Sequence, residues 1–428
     1  MQNQRTHFVV SIREIEMKVL FVTPAYEPAW AFGGTVTSVS QLCNALSRKG
    51  ADITVYTTDA DGKGGHLINM EKTASRNGDV SVKYFRCNLG KSRAFYSREL
   101  ATSLKENISK FDLVHVSSIW QWHQIAVERF SVKNEIKYII SPHGSLREEA
   151  LFSVGNQLIK KMYWSLFVKK AIESAAAISF LNERERTDAK EYVRIPESFI
   201  VPNGVDCETE YISKKDAMEF RQALGIDGAS ILILFLGRVH KVKNIDLVIQ
   251  AIPFLLREGH NVHFIIAGPI EDKHYYSSLK NMTRELNIEK RVVWYGLADE
   301  VDKHKLQAIS DLMILPSMTE GVSMSLLEAL ASSTPVLLTS NATNSEEIEA
   351  SRAGIIVEPE IAGVRKGLIR LFSEPRLLEE TGENARRLAL EKYNISNVAL
   401  LMMQAYEDIL SGKRHPELMW EDPQGPAL

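Results

Sequence analysis

At 428 residues the chain exceeds the roughly 250–300 residues at which single hydrophobic cores stop growing, so two domains are expected. A hydrophobic content of 45%, a charged content of 25% and a formal net charge of −3 describe an ordinary soluble globular chain and argue against a nucleic-acid binder, which carries a basic excess. Three scattered cysteines (Cys43, Cys87, Cys207), no apolar run near roughly 18 residues and no signal-peptide apolar region exclude a disulfide scaffold, a zinc motif and a transmembrane helix, and predict a cytoplasmic protein.

Residues 1–16 (MQNQRTHFVVSIREIE) have no clear role, and a start codon placed too far upstream accounts for them. From Met17, MKVLFVTP reads as a first strand, Lys18 to Pro24, followed by a loop with Gly33-Gly34 and a helix from Thr35 to Lys49 closed by Gly50. Apolar runs recur at Ile53 to Thr57, Leu113 to Ser117, Tyr138 to Ser141, Ala176 to Leu181 and Phe199 to Val201. A second series comprises Ile231 to Leu236, Val262 to Ala267, Val292 to Tyr295, Leu312 to Leu315, Val336 to Thr339 and Ile355 to Val357. Strands alternating with helical stretches predict parallel sheets covered on both faces, so the chain reads as α/β with two successive Rossmann-like domains joined near Pro202 to Lys215. Beyond Glu374-Pro375 the pattern is helical to about Leu410, and a polar tail follows.

The richest stretch is Asp311 to Ala331, DLMILPSMTEGVSMSLLEALA. A buried strand leads through a glycine-containing loop to a helix that Ser323 is placed to cap. Free N–H groups and the positive end of the helix dipole make such a start attractive to anions. Glu320 and Glu328 flank it, on the order of 10 Å apart at about 1.5 Å per helical residue. Carboxylates accept hydrogen bonds from hydroxyls, so a molecule with hydroxyls at both ends and phosphates between them, such as a nucleotide-sugar, suits the spacing. Two solvated surface glutamates around a helix start would look the same.

Other candidates also sit at strand ends, where an open α/β sheet binds ligands. Gly33-Gly34 admits a phosphate close to the backbone, or is simply a turn. His143, in Ser141-Pro142-His143-Gly144, faces a crevice or makes local hydrogen bonds. Gly237-Arg238 and Lys243-Asn244 offer a guanidinium and an ammonium for a diphosphate, or two solvated cations. Gly268-Pro269 and Tyr295-Gly296-Leu297 could shape a slot for a base. In 157–170 (QLIKKMYWSLFVKK), lysines beside aromatics suit either an anionic membrane surface or, the favoured reading, a helix packed on the sheet with solvated lysines.

The ordered set GG, SPHG, PNGVD, GR-x4-KN, AGP, YG and EGVSMSLLEA resembles the retaining glycosyltransferases of family 4, from Met17 to about Leu410. The resemblance implies the GT-B fold: two Rossmann-like domains facing across a cleft, an acceptor domain at 17–205 and a nucleotide-sugar domain at 206–394, with a helix at 395–411 crossing back and 412–428 as tail. It implies that Arg238 and Lys243 bind the diphosphate and stabilise the departing nucleotide, that Glu328 holds the ribose and that Glu320 contacts the transferred sugar. Gly33, Gly34, Gly237, Leu297, Gly321, Val322, Ser323 and Leu327 complete the donor site, and His143 lies near the reacting sugar. No cofactor or metal is expected, since cations do the work of a metal and none of the sequence is read as a metal-binding Asp-x-Asp. The expected activity moves a hexose-type sugar from a UDP-sugar to a saccharide or lipid-linked glycan in surface or exopolysaccharide assembly, with peripheral membrane contact through 157–170 as one option. Rivals are a GDP-mannose-dependent mannosyltransferase, a nucleotide-sugar epimerase and a non-catalytic scaffold partner.

Overall fold

The computed structural model describes residues 17–62, 64–67, 75–77, 80–88, 95–147, 151, 157–208, 213–318 and 321–413. The expectations for 1–16, for Glu320 and for 414–428 lie outside the described residues.

The first sheet contains β1 (Lys18–Val22), β2 (Asp52–Thr58), β3 (Ser75–Asn77), β4 (Val80–Phe85), β5 (Leu113–Ser117), β6 (Lys137–Ser141), β7 (Ala177–Phe180) and β8 (Ser198–Ile200). Its order is β3-β4-β2-β1-β5-β6-β7-β8. All neighbours are parallel except β3, which runs antiparallel to β4. The second sheet contains β9 (Ile231–Leu236), β10 (Val262–Ala267), β11 (Val292–Gly296), β12 (Leu312–Leu315), β13 (Val336–Thr339) and β14 (Gly354–Val357). It is ordered β11-β10-β9-β12-β13-β14 and wholly parallel. The central strands are near-continuous apolar runs: β5, β10 and β12 are buried at every position, as strands covered on both faces must be.

In each sheet the strand order reverses beside a central strand, at β1/β5 in the first and β9/β12 in the second. Those reversal points open crevices at the carboxyl ends of the strands. Gly33 follows β1 and Ser117 ends β5; Arg238 follows β9 and Gly321 follows β12. The candidate residues therefore flank both reversal points.

The chain passes between the lobes twice. Outbound, it leaves β8 through Val201–Cys207. It returns after helix Pro375–Leu388 and a π-helical turn, Ala389–Tyr393, and then forms helix Ile395–Ser411. The two passages are zipped together: the Val205 N–H donates to the Tyr393 carbonyl at 2.7 Å, and the Ile395 N–H donates to the Val205 carbonyl at 2.9 Å. Ile395, Val398, Met402 and Tyr406 of the returning helix join the first lobe's core. The helical region expected from Pro375 onward is thus broken at Asn394, whose extended ψ of 121° turns the chain and whose side chain accepts from the Ser396 N–H at 2.9 Å. Strands β3 and β4 were not expected.

Gly204 lies where the two passages touch. A Cβ there would sit 2.8 Å from Ile395 Cα and 2.5 Å from its Cδ1. Gly204→Ala is expected to cost about 1–3 kcal/mol through overpacking, read as a lower Tm in thermal unfolding. An unchanged Tm would show that the zipper is not tight.

Candidate active site

In the second lobe, β9 and β10 end in glycines that touch. The Gly237 N–H donates to the Ala267 carbonyl at 2.9 Å, and Gly268, at a φ of 140°, lies so close that a Cβ would fall 1.9 Å from the Gly237 oxygen. Only glycine fits at 268. Arg238 emerges from this junction more than half exposed, its guanidinium paired with the Glu271 carboxylate just beyond β10. The next residues form a 3-10 turn, Lys241–Lys243, closed by Asn244 in the left-handed region at a φ of 47°. The Met318 N–H donates to the Val242 carbonyl at 2.8 Å, so the lysine turn and the loop after β12 are held against each other.

Helix Met324–Ala331 starts at this loop. Ser323 stands at the N-cap position but its hydroxyl does not cap the helix; it pairs instead with the Ser325 hydroxyl at 2.8 Å. Ser325 in turn donates to the Leu236 carbonyl at 3.0 Å, pinning the first turn to the end of β9. The Ser323 hydroxyl is thus taken up by its neighbour, and that of Ser325 by a tertiary contact, which corrects the expected cap. Leu327, expected to contact the donor, is fully buried in the second lobe's core and its N–H is bonded to the Ser323 carbonyl, so it supports the helix from behind. Gly321, Val322 and Ser323 remain at least partly open, and Leu297 is 54% exposed beside β11.

Glu328 is no solvated surface group: it is 3% exposed. Burial pushes its carboxyl up to about 7, against the pull of Lys303, while Gln307 Nε2 donates to its Oε2 at 3.2 Å. Glu320, expected as its counterpart, lies outside the described residues.

The first lobe presents its own loops. Gly33 adopts a φ of 80°, and a Cβ at Gly34 would lie 3.2 Å from Met324 Cγ, so the diglycine loop touches the first residue of the second lobe's helix. At the end of β6, His143 and Gly144 are both left-handed, with φ of 51° and 78°. Two carboxylate bonds hold this turn in place: buried Glu185 accepts the Gly144 N–H at 2.6 Å and the Leu181 N–H at 3.2 Å, with its carboxyl raised by burial to about 7. His143 Nε2 bonds the Ser117 hydroxyl at 2.8 Å, and its Nδ1 is buried without a hydrogen-bond partner among the described residues. Burial lowers the imidazole to about 4, which makes it neutral at pH 7. Behind it, His115 bonds Ser141 Oγ at 2.7 Å and Tyr406 of the returning helix at 2.6 Å. Arg147, almost fully buried, donates to Thr343 Oγ1 of the second lobe at 2.8 Å.

The elements bearing Gly33, Gly34, Gly237, Lys243, Gly321, Val322 and Ser323 are thus in mutual contact across the two lobes, and Arg238 is committed to an internal partner. Sequence reasoning passed over Ser117, Glu185, Glu271 and Gln307. Asn182-x-x-Glu185 carried a legible signal, since Asn182 Oδ1 caps the Glu185 N–H at 2.9 Å in the manner of a capping box. The chain does contain one Asp-x-Asp, Asp59-Ala60-Asp61. It is used locally: Asp59 accepts from the Cys87 N–H at 2.7 Å and Asp61 from the Gly65 N–H at 2.9 Å.

A carboxyl held above its usual range of 4.5 gives stability that is complete below about pH 4.5 and is lost as the pH rises through about 7. Glu328→Gln keeps the shape and the Gln307 bond without the ionisation. The variant is expected to lose up to about 3 kcal/mol of the pH dependence of unfolding between about pH 4.5 and 7.5. Urea melts across that range check this, and identical slopes for variant and parent would refute the buried carboxyl.

Residues 32–209 match the family model Glycosyltransferase Family 4, and residues 216–388 match Glycosyl transferases group 1. An uncharacterized glycosyltransferase of Methanocaldococcus jannaschii is 26% identical over 401 residues, 91% of this chain and 98% of that one. The alpha-monoglucosyldiacylglycerol synthase of Streptococcus pneumoniae is 24% identical over 374 residues, 85% of this chain and 80% of that one. Among solved structures, Anabaena HepE in complex with UDP and glucose superposes with a TM-score of 0.73 at 17% identity, covering 91% of this chain and 99% of that one. Two family models in tandem over most of the sequence, and two Rossmann-like lobes joined as described, make this chain a glycosyltransferase of the family 4 type with the GT-B fold.

Proposed function

We propose that this glycosyltransferase moves a hexose, with retention of anomeric configuration and without a metal, from a UDP-sugar to a saccharide or lipid-linked glycan acceptor in surface or exopolysaccharide assembly at the cytoplasmic face of a membrane. The observation that carries the reading is the junction of three loops, after β1, β9 and β12: the diglycine turn on Met324, Ser325 on the end of β9, and the lysine turn bonded to the loop after β12. A diphosphate seated there meets the start of helix Met324–Ala331, Lys243, and Arg238 once its guanidinium exchanges Glu271 for phosphate oxygens. As the anomeric C–O bond breaks, its electron pair goes to the diphosphate, and these fixed cations and dipoles stabilise the charge. The acceptor hydroxyl bonds to the anomeric carbon from the same face and releases its proton to the leaving group.

Glu328 suits the ribose hydroxyls, because a buried carboxyl gains most from a hydroxyl that can hydrogen-bond it. His143, neutral and with a free Nδ1, suits a sugar hydroxyl as an orienting group rather than an acid. Glu320 is assigned to the transferred sugar. The UDP and glucose in the Anabaena structure favour UDP over GDP. A non-catalytic scaffold partner is disfavoured because Arg238, Lys243 and Glu328 are all present.

In a thermal-shift panel with EDTA present, UDP or its sugars should stabilise the protein by about 2.7 kcal/mol at a hundredfold excess over Kd, more than GDP does. Lys243→Ala should abolish the shift. Stabilisation that requires a divalent cation, or a response to GDP alone, would sink the metal-independent UDP reading.

A further inference from the structure

One turn of the first lobe reaches into the second. Residues 142–147 fold tightly after β6: the Ser145 N–H donates to the Pro142 carbonyl at 3.2 Å, and the Gly144 N–H to Glu185 at 2.6 Å. His143 stands near one end of this turn and Arg147 at the other, and between them Leu146 is fully buried in the first lobe's core. Arg147 is itself 5% exposed, a depth at which a guanidinium needs partners. Its charge favours the ionised form of Glu185 against burial, and its Nη1 donates across the lobe boundary to Thr343 Oγ1 at 2.8 Å.

Thr343 lies in a turn after β13, residues 339–345, that is braced from within and from two sides. The Ala342 N–H donates to the Thr339 carbonyl and the Ser345 N–H to the Ala342 carbonyl, both at 3.0 Å. On one side the buried Thr339 hydroxyl donates to the Ser317 carbonyl at 2.6 Å, which fastens the turn to the loop after β12. On the other, Asn344 Nδ2 donates to the Tyr393 hydroxyl at 2.9 Å, and the Tyr393 carbonyl accepts from Val205 where the chain passes between the lobes. The turn is therefore fixed to the donor side of the cleft and to the hinge, and Arg147 grips both through it. An arginine suits this position, because its planar fork offers several N–H groups around one charge, so a single group can steady Glu185 and hold Thr343.

We infer that Arg147 is a positioning residue for glycosyl transfer: its bond to Thr343 latches the two lobes together and, through the turn it shares with His143, sets that imidazole against the donor loops. Separating the lobes draws the guanidinium out of its pocket and leaves the Thr343 hydroxyl to water. Bringing them together restores both contacts, so closure and the placement of His143 arise in one step. The latch itself does not depend on which sugar nucleotide is bound. Its consequence for turnover rests on the proposed function, in which His143 orients a sugar hydroxyl.

Arg147→Met keeps the reach of the side chain without its N–H groups, and Thr343→Val keeps the shape of its partner without the acceptor. In small-angle X-ray scattering of the full-length protein, both variants should show a larger radius of gyration than the parent, whereas Thr343→Ser, which retains the hydroxyl, should match it. With saturating UDP-glucose, each of the two should release UDP at least about tenfold more slowly than the parent. The double variant should be no slower than either single one, as for two residues that act as a unit. Both should bind as many UDP molecules per chain as the parent, which excludes a misfolded fraction, and Thr343→Ser should recover the rate. An unchanged radius of gyration in both variants, losses that multiply in the double variant, or a Thr343→Ser as slow as Thr343→Val overturns the inference. A parent protein that releases no UDP would count against the donor reading instead, and the scattering comparison then decides the latch alone.

Discussion

The relative placement of the two lobes depends on a short parallel pairing between Val205 and the backbone of Tyr393–Ile395. It joins the two points at which the chain passes from one sheet to the other, and the packing of Gly204 on Ile395 leaves no slack between them. From this junction the returning helix runs into the first lobe's core, where Tyr406 reaches His115. A residue that belongs by sequence to the end of the chain thus helps to fix a strand beside the cleft. Two short hydrogen bonds at the hinge set the geometry in which loops more than 200 residues apart in sequence can meet.

The electrostatic character of the site follows from burial more than from formal charge. Glu185 and Glu328 are carboxyls removed from water, and each is raised to about 7 even with hydrogen bonds favouring ionisation. His115 is buried and His143 half-buried with its Nδ1 shielded, and desolvation holds both imidazoles neutral at pH 7, that of His115 helped by His143. Arg238 is treated differently: it remains more than half exposed beside its carboxylate. Groups suited to hydroxyls are thus kept dry and close to neutral, and a group suited to phosphate is kept wet and charged.

The two-sheet plan was legible because its strands are unbroken apolar runs separated by helical periodicity, a pattern strong enough to place β5, β9, β10, β12 and β13 with their observed ends. β4 escaped notice, although VSVKYF alternates buried and half-buried positions as a strand covered on one face should. The loop motifs at strand ends were legible as positions. Their side-chain partners were not, since they are set by tertiary contacts between distant segments: Glu271 on Arg238, Gln307 on Glu328, and the Leu236 carbonyl on Ser325. The same limit applies to 157–170, where an amphipathic helix was legible but only packing reveals that its apolar residues divide between a buried side with Trp164 and Val168 and an exposed one with Leu158 and Met162, which corrects the favoured reading that they all pack on the sheet.

Glu271 has a further effect on any anion that approaches Arg238. The guanidinium is already neutralised by a tethered carboxylate, so an incoming ligand must displace an occupant that never diffuses away. That internal rival caps the tightness of binding, and it also waits beside the arginine to reclaim it. Release is thereby favoured at the expense of entry, a useful property wherever a spent leaving group must vacate before the next turnover.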